Sequence, residues 1–168
     1  MSSKKALDAD NQQAARNKIS DEYFSGFVDG EGCFYVGFGR REDLPLKWQI
    51  ITEFHLSQNP GGKKVLEEFS KRLGCGYLKP NHLKSTRDKS WVLIVKDRKD
   101  LQTKLIPFFK KYPLHTSKKV DLLIFDQVLS LIEHKEHLKR DGFKKIINLV
   151  FQNPRVTNKR YSKEFLLS

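Results

Sequence analysis

The chain has 168 residues, 38% of them hydrophobic and 31% charged, with a formal net charge of +12 at neutral pH. That size suits one domain with its own core, and no apolar run approaches the roughly 20 residues of a membrane-spanning helix. So large a positive field favours a polyanion, nucleic acid above all. The two cysteines, Cys33 and Cys75, lie outside any C-x-x-C pair, which argues against a zinc ribbon or disulfide framework and for a reducing, intracellular compartment.

Residues 1–18 are polar and lack the apolar stretch of a secretory signal, so they read as a mobile tail ahead of a single domain over 19–168. Ser20 suits a helix N-cap, with Asp21 and Glu22 in the first turn where the dipole favours acids. In Tyr23-Phe-Ser-Gly-Phe-Val-Asp-Gly-Glu-Gly32, the residues Phe24, Phe27 and Val28 form an apolar stripe at helical spacing. Gly26 and Gly30, four apart, share another face and leave it flat enough for a second helix to approach closely. Asp29 and Glu31 sit at the negative pole of this helix, where a cation is expected and a metal ion is the sharp reading.

From Cys33 to Arg40 the period becomes alternating: Phe34, Val36 and Phe38 face a core, and Tyr35, Gly37 and Gly39 the other side. A charged turn with Pro45 precedes a second strand over about 47–57, with Ile50, Phe54 and Leu56 inward and Gln49, Ile51, Glu53 and His55 outward. After the Asn59-Pro-Gly-Gly62 turn, Val65, Leu66, Phe69 and Leu73 mark a helix stopped by Gly74. Strands follow at Gly76 to about Lys84, with Tyr77, Lys79 and Asn81 on one face, and at Trp91–Lys96. Asp97 or Asp100 starts a helix bearing Leu101, Leu105, Ile106, Phe108 and Phe109, kinked or broken at Pro107. Thr116 or Ser117 caps a longer one with Val120, Leu123, Ile124, Val128 and Leu131. Gly142 interrupts a turn, residues 143–151 form another helix, and 161–167 a last short one.

The order α-β-β-α-β-β-α with a helical C-terminal extension gives an α+β fold, an antiparallel sheet with helices on one face. The other face carries Tyr35, Gln49, Glu53, His55, Lys79 and Asn81, a set able to hydrogen-bond base edges in a major groove. An ordinary solvated sheet face has the same composition.

The nine positions Phe24-Ser-Gly-Phe-Val-Asp-Gly-Glu-Gly32, the element order and the charge together resemble the LAGLIDADG homing endonuclease family, over about Ile19–Leu131. One copy of the motif points to the single-motif branch, whose members act as homodimers, with the antiparallel sheet as a DNA-binding saddle. The resemblance implies a dimer contact through Gly26, Phe27 and Gly30. It implies Glu31 as the catalytic acid, with the Gly30 carbonyl as second metal ligand. Hard oxygen donors suit Mg²⁺, with Ca²⁺ or Mn²⁺ as substitutes. Asp29 is left a structural role at the helix end.

Gln58 matches a polar residue that orders water at the cleavage site, a turn role being the alternative. Lys118 matches the active-site lysine, with Lys119 one residue away as the alternative or a phosphate contact, and Arg40 is a further DNA contact. Only Lys63 or Lys64 could replace a basic residue usual near Gly62. Glu133-His-Lys-Glu-His137 reads as a solvated helix face rather than a metal site, and no Gly-rich nucleotide motif is present. The implied activity is site-specific, metal-dependent double-strand cleavage of a long pseudo-palindromic site by an intron-encoded enzyme, in a prokaryotic cytoplasm or an organelle. The alternative is a non-catalytic binder such as an RNA-splicing maturase or a DNA-binding regulator. A basic α+β protein with an unrelated partner is a third.

Overall fold

The computed structural model describes residues 18–85, 87–153, 155 and 160–168. The tail assigned to residues 1–18 lies outside these, apart from Lys18.

Helix α1 spans Asp21–Glu31, and the Ser20 hydroxyl accepts from the Tyr23 amide at 3.1 Å as the sequence anticipates. Phe24 and Val28 are buried, while Phe27 is only half-buried and stacks on Tyr23 with ring centroids 6.2 Å apart. The chain passes from α1 into strand β1, Gly32–Arg40, without a loop. Any side chain on Gly32 would collide with the Val28 side chain and carbonyl, so glycine is what lets the helix turn directly into the strand.

Strand β2 is Trp48–Gln58, β3 is Tyr77–Pro80 and β4 is Trp91–Val95, in one antiparallel sheet of order β1-β2-β4-β3. Tyr35 lies opposite Glu53, Cys33 opposite His55, and His55 opposite Ile94, which faces Tyr77 in turn. The inner face buries Phe34, Val36, Phe38, Ile50, Phe54 and Leu56, the expected set, and also Thr52, Leu93 and Val95. Strand β3 is shorter than expected. Pro80 has no N–H to give a ladder, and Asn81 falls in the turn beyond it, its amide donating to the Ser90 carbonyl at 2.9 Å.

A single turn at Pro60–Gly62, capped by Asn59, leads into α2, Lys63–Leu73, which ends on Gly74 in the left-handed region at φ 65°. Pro107 does not break the next helix. Arg98–Asp100, a wide π turn at Leu101–Leu105 and Ile106–Lys111 run on as one element, α3, and the Ile106 amide reaches back to Leu101. The wide turn shifts the ladder just before a residue with no N–H, and the helix continues.

Helix α4, Lys118–Glu133, corrects the expected stripe: Val120 and Leu123 are about half exposed, at 50% and 53%. Ile124 and Val128 are buried as expected and Leu131 is half-buried, while Leu122, Phe125, Leu129 and Ile132 join the buried arc with Asp121. A helix this apolar offers more than one arc at helical spacing, and the sheet selected a neighbouring one. Gly142 lies inside α5, Arg140–Phe151, because a side chain there would strike the Glu136 carbonyl. Asn153 donates to the Asp121 carboxylate and ties the end of α5 to the first turn of α4.

The last helix, α6, Lys163–Leu167, brings Phe165 edge-on to Trp48 at 5.9 Å, with Tyr161 at 4.9 Å. The helices thus form one layer over the inner sheet face. Phe34 at its centre touches Phe54, Phe109 and Phe125 at 5.3, 5.9 and 5.7 Å. Among the described residues, no helix is long and apolar enough to cross a membrane.

Candidate active site and nucleic-acid interface

The C-terminal end of α1, the Gln58 end of β2 and the N-terminal end of α4 meet at one end of the sheet. Gly32 pairs with Leu56, so Glu31 stands beside the Ser57–Gln58 end of β2. The Asp29 carboxylate accepts from the His115 amide at 2.7 Å, the Thr116 amide at 3.1 Å and the Thr116 hydroxyl at 2.8 Å. Those donors lie just ahead of α4, so the acid at the negative end of one helix is met by N–H groups at the positive end of another. Burial pushes the Asp29 carboxyl upward, but the His115 and Thr116 hydrogen bonds outweigh it and hold the group below the usual carboxylate range. Thr116 relays the link, its hydroxyl accepting from the Lys118 amide at 3.2 Å.

The two acids of the motif thereby part. Asp29 is saturated, as its structural assignment anticipated, and no cation is needed to explain it. Glu31 is exposed, and its carboxylate makes no hydrogen bond or ion pair with the described residues. Beside it, the Gly30 carbonyl is among the last of α1, which have no donor within the helix. A free carboxylate and a free carbonyl are hard oxygen donors, the set that Mg²⁺ takes. Among the described residues no three His, Cys, Asp or Glu side chains gather to hold an ion. An ion here would take its remaining ligands from phosphate, water or another chain.

Lys118 is half-buried and close enough to Cys33 for its charge to oppose the burial that raises that thiol, whereas Lys119 is exposed. Gln58 is half-buried at the same end, its side-chain carbonyl accepting from the Asn59 amide at 2.8 Å. Glu31, Gln58 and Lys118 therefore lie at the same end of the sheet. Lys63 is occupied: its ammonium lies 3.9 Å over the Trp91 ring and 3.3 Å from Glu67, leaving Lys64 exposed.

A Cβ on Gly26 or Gly30 would meet nothing within 4 Å, so the flat face of α1 is open, rimmed by Tyr23, which is 52% exposed, and Phe27. Sequence reasoning missed Ser25, which is buried and whose hydroxyl donates to the Tyr112 and Pro113 carbonyls at 2.9 and 3.0 Å. Nothing in helical spacing marks it, because its partners lie 87 and 88 residues away.

On the outer sheet face, His55 Nε2 lies 2.8 Å from Glu53 Oε2, and the Tyr35 and His55 rings stack at 6.2 Å. Gln49 opposite Gly39, and Lys79 opposite Val92, share that face and are exposed. Tyr77, Val92 and Ile94 belong to it too, and the last two are buried, which the unbroken apolar run Trp91–Val95 gave no alternation to reveal. Asn81 is off the sheet in the turn. Arg40 has the alternation of Phe34, Val36 and Phe38, so it stands on the helix side at the strand end, 2.6 Å from Glu42 and 5.1 Å over Trp48. His134 and His137 do not share a helix face, since α4 ends at Glu133.

Residues 24–129 match the family model described as LAGLIDADG endonuclease. A Neurospora crassa protein named "Probable intron-encoded endonuclease 3" is 31% identical over 133 residues, 79% of this chain and 24% of its own length. The chain spans a similarly small share, 28% and 25%, of two other fungal relatives. Among solved structures, the homing endonuclease I-TnaI superposes with a TM-score of 0.76 at 34% identity, covering 89% of this chain and 94% of that one. The archaeal intron-encoded homing endonuclease I-Vdi141I, complexed with DNA, gives 0.76 at 26% identity over 88% and 91%.

Proposed function

The chain belongs to the LAGLIDADG endonuclease family, and from that membership we propose that it is an intron-encoded, site-specific double-strand DNA endonuclease of the single-motif branch, acting as a homodimer with divalent metal. The observation that carries this reading is the contrast within the motif: Asp29 is held by His115 and Thr116 just ahead of α4, while Glu31 is left exposed and uncommitted beside the Gly30 carbonyl. An exposed acid in a chain of charge +12 weakens binding to a polyanion. It is useful there if it holds a cation.

Glu31 and the Gly30 carbonyl would hold Mg²⁺, which supplies charge neutralisation at the scissile phosphate and a more acidic water for in-line displacement. Two copies of α1, packed through Gly26, Phe27 and Gly30 about a two-fold axis, would bring two Glu31 carboxylates over the two strands. Lys118 places a positive charge where negative charge builds on the phosphate oxygens, and Gln58 orients water beside them. Tyr35, Gln49, Glu53, His55 and Lys79 face the major groove, with Asn81 at its margin. Lys119 and, from the sheet end, Arg40 serve the phosphates. The site read this way is long and pseudo-palindromic, one half-site per subunit, and the compartment is that of the intron's host, a prokaryotic cytoplasm or an organelle.

The test is incubation with duplex spanning the insertion point of its own intron, in Mg²⁺ and in Ca²⁺, beside Glu31→Gln. The expected result is cleavage in Mg²⁺, reduced at least about 10²-fold in the mutant, a loss of the order seen when one charge-stabilising group is removed from an active site, with binding retained. Binding without cleavage in any metal would assign the chain instead to the non-catalytic binders, a splicing maturase or a regulator.

A further inference from the structure

Strand β2 runs past the end of β4: Phe54 pairs with Val95, and residues 48–53 have β1 alone as neighbour. On this open edge Arg98 donates to the Ile50 carbonyl at 2.8 Å. Among the described residues it has no carboxylate partner, whereas Arg40, Arg41, Arg72 and Arg155 each have an acid within 4.0 Å. Arg87, Arg140 and Arg160 share that lack but are exposed. Arg98 is half-buried, and burial pushes its guanidinium below the usual arginine value. A partly desolvated cation answered by one neutral carbonyl is an expensive arrangement unless an anion completes it.

Arg98 lines a pocket of about 230 Å³ with Arg41, Trp48, Gln49, Ile50 and His137. Arg41 at this pocket is already held by Asp43 through two hydrogen bonds, at 2.8 and 2.7 Å, so the uncompensated charge is that of Arg98. His137 is lowered first by burial and then by repulsion from Arg98, and its Nδ1 is enclosed with no hydrogen-bond partner among the described residues. The pocket thus offers an unpaired cation beside an imidazole, and no uncompensated acid. That is a site for a phosphate group.

We propose that this pocket binds a backbone phosphate of the DNA, with Arg98 as its principal ligand and His137 beside it. The inference rests on the endonuclease reading and adds to it an anchoring point far from the cleavage centre. From the level of Glu31 to Gln49 is eight residues along β2, about 26 Å at strand rise, or roughly eight base steps along the duplex. Arg98 contributes affinity and register there, not base identity.

The experiment measures duplex affinity against salt for the wild type, Arg98→Gln and Arg98→Lys, with thermal melts as the folding control. Duplexes carry a single neutral methylphosphonate, moved in turn across the steps roughly six to ten from the centre of the site. The expected result is about 10-fold weaker binding for Arg98→Gln on cognate and random duplex alike, and a salt slope lower by about one. Arg98→Lys should recover part of the loss, and one methylphosphonate should remove the difference between wild type and Arg98→Gln. Salt-sensitive wild-type binding with an unchanged slope in a folded Arg98→Gln overturns the pocket alone. Absence of salt-sensitive duplex binding in the wild type overturns the endonuclease reading and this inference with it. If inorganic phosphate shifts the His137 ring resonances and the duplex does not, the pocket takes free phosphate and the DNA assignment fails.

Discussion

Asp29 and Glu31 are two residues apart on the same helix end, and their neighbours give them opposite fates. Three donors from His115 and Thr116 converge on Asp29, so its ionised form is a structural tie between α1 and α4. Because its carboxyl lies below the usual range when folded, its contribution is complete above the unfolded value of about 3.9. It is lost as pH falls through the lower folded value. Asp29→Asn keeps the shape but accepts fewer of these bonds, and should cost about 1 kcal/mol near neutrality, as a lost cap does. Denaturant melts from pH 7 to pH 2 check this: the gap between wild type and mutant should close toward the acid end, and a pH-independent gap would show that the charge is not what matters. The sequence could say that one of the two acids was structural. It also pointed to Asp29, but what Asp29 holds depended on residues 86 and 87 positions away.

At the scale of elements, period carried the reading where a segment has one buried face, and failed where it has none or two. Strand β1 was legible to within one residue, starting at Gly32 rather than Cys33, and the Gly74 stop of α2 was legible to the residue. Strand β3 was overextended because alternation continues past Pro80, although the pairing partner is only Trp91–Val95. In α4 the apolar residues fill more than half the turn, so the buried arc is a decision of the sheet rather than of the helix. The correction is testable: Phe125→Ala should cost about 3–5 kcal/mol and Leu122→Ala, at the rim, about 2–3. Val120→Ser and Leu123→Ser should change stability by less than about 0.5 kcal/mol. Equal losses at Leu123 and Phe125 in urea titrations would restore the arc first expected from the sequence. The resemblance to the family put Glu31, Gln58 and Lys118 forward as a set, while nothing in the sequence put Arg98 forward. Its role depends on β2 outrunning β4, a mismatch of strand lengths that no local pattern encodes.

For the whole molecule, the open face of α1 separates the stability of one chain from the assembly of two. Glycine inside a helix is a local loss, about 0.5–1 kcal/mol against alanine, and a Cβ on Gly26 would touch nothing within 4 Å in a single chain. Gly26→Ala should therefore stabilise the monomer. If two copies of α1 pack face to face, the same methyl group enters the contact, and Gly26→Leu fills it. The two effects have opposite signs and can be read from one set of samples. Sedimentation velocity over a range of concentrations should show the wild type associating, Gly26→Ala associating more weakly and Gly26→Leu monomeric. Melts at concentrations too low for association should rank both variants at or above the wild type. In an associating protein the wild-type midpoint should also climb with concentration, because assembly draws on the folded state alone. A Gly26→Leu chain that still dimerises would move the contact off α1, and with it the pairing of two Glu31 carboxylates. A Gly26→Leu chain that unfolds at low concentration would mean instead that the glycine serves the monomer, contrary to the empty space around it.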